Sequence, residues 1–271
     1  MPIITEIDDK YVDYDFQTDP AFVFGDLGNP LFGSPFESYE DRYGTLSDSE
    51  IQAEIERTEA EGLGQENVIT RVYNQKNEGS CVANAYGAGH ELCQAIQVGT
   101  ENVIPLSAIS LYDRIGRSAQ SGAMVSDGWD ELVRGGIGPL DTPKNRERFG
   151  NRVKSNTGFR TAYPTGYKEL MLEFVGVEAT IIRSLQGLKS AGVTPGGIIV
   201  GREGHSILYV RIRTKSGRFV FMYVNSWDRW GQPAGNMEYG FGHDTLSQIQ
   251  KSASYAVKIR AVKCPQLVTA L

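Results

Sequence analysis

Cys81, His205 and Asn225 are the residues of this chain whose types and placement allow nucleophilic chemistry. Cys81 follows Gly79-Ser80 and opens a predicted helix, where the partial positive charge of the helix N-terminus favours a thiolate and draws the thiol below its ordinary pKa of about 8.5. Taken alone, a cysteine is more often a small buried hydrophobe, so its neighbours decide. A thiolate nucleophile needs an imidazole beside it, and the chain offers three: His90, His205 and His243. His90 stands nine residues along the same predicted helix, about 13 Å away at 1.5 Å per residue, and is out of reach; it reads as a surface or helix-packing histidine. His243, inside Gly240-Phe241-Gly242-His243-Asp244, reads as a solvated loop histidine. His205 opens the alternating run His205 to Ile212, and Arg218 to Asn225 returns after Lys215-Ser216-Gly217, the pattern of a β-hairpin. With the turn centred between Lys215 and Ser216, residue 205 falls opposite about residue 226, close to Asn225 and about 5 Å across the ladder. An Asn side-chain oxygen accepts from one imidazole nitrogen and leaves the other facing a thiolate. Trp227 follows at once and can shield that bond from water.

The elements that must position these groups are legible in the same way. Ser47-Asp48-Ser49-Glu50 is a capping box ahead of a charged helix reaching about Gly62, a glycine suited to a C-cap, with only Ile51 and Ile55 as an apolar face. Helices are expected from Ser80-Cys81 to about Gln97, from Ala123 to Arg134 and from Ile182 to Ala191. Strands are expected at Gly197 to Val200, His205 to Arg213, Arg218 to Ser226 and Ser254 to Val262. A helical half followed by a sheet half indicates an α+β domain with two lobes.

The chain of 271 residues is 40% hydrophobic, enough for a packed core, and its net charge of −6 gives no basic face for nucleic acid or an anionic membrane. Residues 1–45 hold about ten acids against two bases, roughly −8, which leaves about +2 elsewhere. That stretch is also rich in Tyr and Phe, so residues 1–65 read as an acidic aromatic arm and linker helix ahead of a domain at 66–271. The arm can wrap its own domain, cover the cleft as a pro-segment or hold an assembly partner. No basic start followed by an apolar run opens the sequence, and Cys81, Cys93 and Cys264 are too few for a disulfide framework. A cytoplasmic or otherwise non-secreted protein is expected.

The segment Gln75-Lys76-Asn77-Glu78-Gly79-Ser80-Cys81 resembles the active-site segment of papain-like cysteine peptidases, in which a glutamine stands six positions before the nucleophile. Gly204-His205-Ser206-Ile207 is similar to the family's histidine strand, and Asn225-Ser226-Trp227 with Trp230-Gly231 to its asparagine segment. Pro105-Leu106-Ser107 with Leu111-Tyr112-Asp113 is similar to the helix after the nucleophile helix. The match covers about residues 66 to 262. It implies a papain-like two-lobed α+β fold, a helical lobe carrying the nucleophile helix and an antiparallel barrel-like lobe. It also implies Gln75 as oxyanion donor with the Cys81 N–H, and a substrate channel near Gly79, Ser80, Gly204 and Trp227. Ser121-Gly122 stands where the family's substrate-binding glycine falls, although a helix-start glycine is an equal reading. The chain departs from the family at Glu78, in place of a disulfide cysteine, at Val82, in place of an aromatic, and at Asp228, in place of a glycine. The connection between Pro195 and His205 is also short.

The chemistry expected is hydrolysis of a peptide or protein substrate through a thioester on Cys81, with His205 as acid and base, and it needs no metal or organic cofactor. A catalytically silent papain-fold protein in a larger assembly and an amidase of cell-wall peptides are the alternatives.

Overall fold

The computed structural model describes residues 37–202, 204–227 and 229–265; most of the expected acidic arm, residues 1–36, lies outside them. Two groups of elements follow the chain order. The first is mainly helical: α1 (Tyr39–Tyr43), α2 (Asp48–Ala60), α3 (Cys81–Val98), the two-residue strand β1 (Leu106–Ser107), α4 (Ala108–Ile115), α5 (Val125–Gly135), β2 (Gly138–Pro139), α6 (Pro143–Phe149) and α7 (Tyr167–Met171). The second is mainly sheet: β3 (Gly176–Ile181), α8 (Leu185–Gly192), β4 (Ile198–Arg202), β5 (His205–Lys215), β6 (Arg218–Val224), β7 (Gln232–Ala234), β8 (Met237–Thr245), α9 (Leu246–Ser252) and β9 (Ala253–Val262). The expected α+β order is what forms.

Seven strands make one antiparallel sheet in the order β3-β9-β4-β5-β6-β8-β7. Side chains alternate across a strand, so neighbouring residues serve two different cores. Ile199, Leu208, Val210, Met222 and Val224 join Val82, Ala85 and Leu92 of α3 in one core. Ile198, Val200, Ile207, Tyr209, Phe221 and Tyr223 join Trp227, Trp230 and residues of α1, α2 and α8 in the other. The helix α3 comes close to the sheet because it carries glycines at the contact. A Cβ at Gly89 would lie 3.1 Å from Ile199 Cδ1, and one at Gly87 would lie 2.7 Å from the Tyr73 hydroxyl.

The capping box at Ser47 forms as the sequence predicts, with the Glu50 carboxylate accepting from Ser47 N at 2.7 Å. Ile51 and Ile55, the only apolar face of α2, are fully buried in the second core. Glu40 accepts from the backbone N–H groups of Arg183 and Ser184 at the start of α8, and Asp48 pairs with Lys189, so α1 and the start of α2 are fastened to the sheet lobe. The helix expected from Ile182 begins only at Leu185. Ile182 N still donates to Ala256 O as sheet, and Ser184 supplies the N-cap through Gly187 N.

The hairpin register differs from the expected one. Lys215 pairs with Arg218, so the turn centres one residue later, and a bulge between Tyr209 and Arg211 takes back part of that displacement. Gly240 to Asp244, expected as a glycine-flanked loop, form part of the strand β8. Its glycines instead fit close approaches: a Cβ at Gly242 would lie 2.5 Å from the Tyr223 ring.

One buried cluster ties the segment before the nucleophile to α3. Glu91, 4% exposed, accepts from Arg71 Nη2 (2.8 Å), the Tyr73 hydroxyl (2.6 Å) and Leu106 N (2.7 Å). Glu91→Ala leaves a largely buried guanidinium without its carboxylate, and urea unfolding is expected to show a loss of about 3 kcal/mol.

Candidate active site

Each candidate group is delivered by the end of an element. Cys81 is the first residue of α3, His205 the first of β5, and Asn225 directly follows β6. Asn84, Ala85 and Ala88 of α3 face Ser206, Val224, Asn225 and Ser226 across a small void, so the first turns of α3 lie against the ends of β5 and β6 that bear the histidine and the asparagine. Cys81, His205 and Gln75 are fully buried.

His205 Nε2 lies 2.8 Å from Asn225 Oδ1, and the same oxygen accepts from the backbone N–H of Ser226 at 2.8 Å. A backbone N–H can only donate, so it fixes the carboxamide with its oxygen on this side. His205 Nε2 must then carry the hydrogen, and in the neutral ring Nδ1 holds the lone pair. Trp227 stacks on the imidazole at 4.6 Å between centroids and 23° between planes. Burial pulls His205 down from 6.5 to about 3, the Asn225 bond opposing the shift and the charge of Arg202 adding to it.

Gln75 is joined to the same segment by Ser226. Ser226 Oγ donates to Gln75 Oε1 at 2.6 Å, while Gln75 N donates to Ser226 O at 2.9 Å. Held by its oxygen, the carboxamide turns Nε2 toward the loop before Cys81, where it donates to Glu78 O at 3.0 Å. Ser226 was not singled out as a site residue. Its signal was its place between the asparagine and the tryptophan.

The other candidates fall around this centre. Gly79 N donates to Ala119 O at 2.7 Å, and a Cβ on Gly79 would lie 2.7 Å from Gly122 N, so these two glycines are in contact. Ser80 is turned inward, its O and Oγ accepting from Asn84 Nδ2. Gly204 takes φ +69° in the turn between β4 and β5, a conformation suited to glycine. Glu78 takes over the cross-linking that a disulfide would give: its Oε1 accepts from Gly158 N at 2.9 Å and Phe159 N at 3.1 Å.

The two excluded histidines lie elsewhere. His90 is buried in α3, with Gln94 Nε2 3.2 Å from its Nδ1. His243 is not a solvated loop residue: it is fully buried in β8 with Gln232 Nε2 2.7 Å from its Nδ1. A cavity of about 320 Å³ is bordered by Leu63, Ile96, Pro195 and Ile212. Ile96 is 15 residues along α3 from Cys81, roughly 22 Å, so this cavity is separate from the site.

No family model matches the chain, and no curated protein matches it by sequence. Solved structures do. Procathepsin L2 from the larval midgut of Tenebrio molitor superimposes with a TM-score of 0.60 at 16% identity, over 89% of this chain and 79% of that one. Xylellain, a cysteine protease from Xylella fastidiosa, gives 0.54 at 19% identity, over 71% of this chain and 83% of its own. Procathepsin B S9 from Trypanosoma congolense gives 0.51 at 13%, over 73% and 74%. The fold is that of the papain-like cysteine proteases. Within the papain-like fold this chain brings Gln75, Ser226, Asn225, His205 and Trp227 into one contact chain, next to the helix that begins at Cys81. Among the described residues no helix is long and apolar enough to cross a membrane.

Burial holds His90, His205 and His243 each at about 3. An unfolded histidine protonates near 6.5, so between these values unfolding takes up protons and stability falls as pH falls. Above about pH 6.5 the contribution of all three is fully present. Each adds a slope of about 1.4 kcal/mol per pH unit below that. Urea titrations at pH 7 and pH 5 are expected to show this loss, and His243→Asn should reduce the slope by about one histidine's share.

Proposed function

We propose that this chain is a cysteine peptidase that hydrolyses peptide bonds with Cys81 as nucleophile, His205 as general base and acid, Asn225 as the residue orienting the imidazole, and Gln75 as oxyanion donor. The observation that carries this reading is the double acceptance at Asn225 Oδ1, which assigns the ring hydrogen of His205 to Nε2 and leaves the lone pair on Nδ1. In the reaction the Cys81 thiol gives its proton to His205 and attacks the peptide carbonyl. The developing oxyanion is held by Gln75 Nε2–H and the Cys81 N–H. His205 returns the proton to the leaving amine, and water, deprotonated by His205, then hydrolyses the thioester. Gly79 and Gly122, in mutual contact, are both buried, so an extended substrate strand would have to open this contact to reach their backbone.

Full burial of Cys81, His205 and Gln75 favours a second reading, a silent papain-fold protein, or a peptidase whose cleft is covered. Labelling with an epoxide electrophile at neutral pH, followed by mapping, separates them. Preferential labelling of Cys81 over Cys93 and Cys264 that is lost in His205→Ala supports the peptidase; equal labelling, or none even after deletion of residues 1–36, supports the silent protein. Burial pushes Cys93 up to about 12, so it should react slowly in either case. With a cleavable peptide, Cys81→Ala should abolish turnover, and Gln75→Ala should lower kcat about 10² to 10³-fold with little change in KM.

Several neighbours are described as proforms or procathepsins, which supports a pro-segment role for residues 1–36. Tyr39 is buried and Ser38 bridges to Ile181, so the deletion that tests this must stop at residue 36. A faster Cys81 labelling rate is expected; an unchanged rate counts against a pro-segment.

A further inference from the structure

The face of the sheet turned away from α3 carries a buried charge pair beside the candidate base. Arg202, the last residue of β4, is directly opposite His205, the first of β5. Residues opposite each other in an antiparallel ladder point to the same face, so the guanidinium and the imidazole share one. Arg202 is bound through two nitrogens to Asp244 of β8, at 2.7 and 3.2 Å, and Asp244 also accepts from the Tyr209 hydroxyl at 2.5 Å. The side chains of the ion pair are 8% and 3% exposed.

A second path links the same two residues. The Arg202 guanidinium carbon lies 5.7 Å from the Tyr223 ring, Tyr223 stacks on Trp230 at 5.8 Å, Trp230 meets Trp227 edge-on at 5.9 Å, and Trp227 stacks on His205 at 4.6 Å. Arg202 and His205 are thus the two ends of an arc of three rings as well as cross-strand partners. A buried ion pair is seldom a net source of stability against an apolar replacement, so a pair kept in this place calls for another role.

We propose that the Arg202–Asp244 pair is a positioning device for His205: the guanidinium, fixed by its carboxylate, faces the imidazole from the next strand and opposes a second proton on it. This deepens the reading in which His205 is the base. The charged and titratable groups around the imidazole are Arg202 from β4, Tyr209 on its own strand, Tyr223 from β6, Asp244 from β8 and, in the proposed reaction, the Cys81 thiol of α3. Burial keeps the resting ring neutral, and Arg202 adds to it from the facing strand, so the lone pair stays on Nδ1. Asp244 prevents that cation from acting at full strength and blocking the transient imidazolium.

The test is an NMR titration of the imidazoles in the full chain carrying Cys81→Ala, with His90 and His243 assigned through their own variants. In the Arg202→Met variant the His205 midpoint should rise by at least about one pH unit over the parent, because burial remains while the cation is gone. Arg202→Lys, which keeps the charge, should stay at the parent value. If Arg202→Met does not fold, the double variant Arg202→Gln/Asp244→Asn leaves neither charge alone and should move the midpoint in the same direction. A His205 that titrates where the parent does, or stays unprotonated over the whole folded range in the cation-free variant, overturns the proposal. The readout contains no nucleophile and no substrate, so failure of the peptidase reading would leave a moved midpoint standing, and an unmoved midpoint would leave Cys81 turnover intact.

Discussion

The site depends on one oxygen atom. Asn225 Oδ1 receives the Ser226 N–H and His205 Nε2 together, and the backbone donor leaves no freedom over which end of the carboxamide is presented. The tautomer of the imidazole follows, with the hydrogen on Nε2 and the lone pair on Nδ1, while the indole of Trp227 stacks on the face of the ring. Ser226 extends the control outward, because its hydroxyl fixes Gln75 Oε1 and thereby aims Gln75 Nε2 at the loop before Cys81. Loss of the Asn225 oxygen would disturb His205 directly and Gln75 through Ser226.

Cys81 reaches this arrangement by a packing route. Glycines at 87 and 89 let α3 approach Tyr73 and the sheet, and the Glu91 cluster holds the strand-like segment 71–75 against the same helix. That segment ends at Gln75, so the carboxylate ten residues into α3 fixes the entry to the nucleophile loop. At Glu78 two backbone N–H bonds to one carboxylate cross-link the loop before Cys81 to residues 158 and 159. Such a link does not depend on an oxidising environment.

The long elements were legible because their periodicity is local. α3, α5, the hairpin and β9 lie within a few residues of their expected limits, and the Ser47 capping box forms as written. β3 and β8 were missed for different reasons. Gly176–Ile181 is short and interrupted by Glu178, and Met237–Thr245 carries glycines at 240 and 242 that look like loop residues until the Tyr223 ring fills the space above Gly242. His243 was misjudged with its strand. The meeting of His205 with Asn225 was expected from hairpin arithmetic, yet the register is displaced, and the contact survives because both residues lie beyond the last paired positions at the same end. Nothing local in the sequence tells that Arg202, Tyr209 and Asp244 converge, since their pairing spans 42 and 35 residues.

The two faces of the sheet divide the work. The face on α3 is mainly apolar, with Ile199, Leu208 and Val224, and close packing there sets distance: a methyl group added at Gly89 would press on Ile199 and Ile259. The opposite face buries Arg202, Asp244 and the hydroxyl of Tyr209 among aromatic rings, and charge there sets protonation. Position tolerates no polar group without a partner, and protonation requires buried charge, so the two demands conflict if placed on one surface. Alternation along β4, β5 and β6 resolves the conflict, because successive residues answer to different cores. The imidazole sits at the start of β5, where both faces terminate, so packing from one face and charge from the other meet at the same ring.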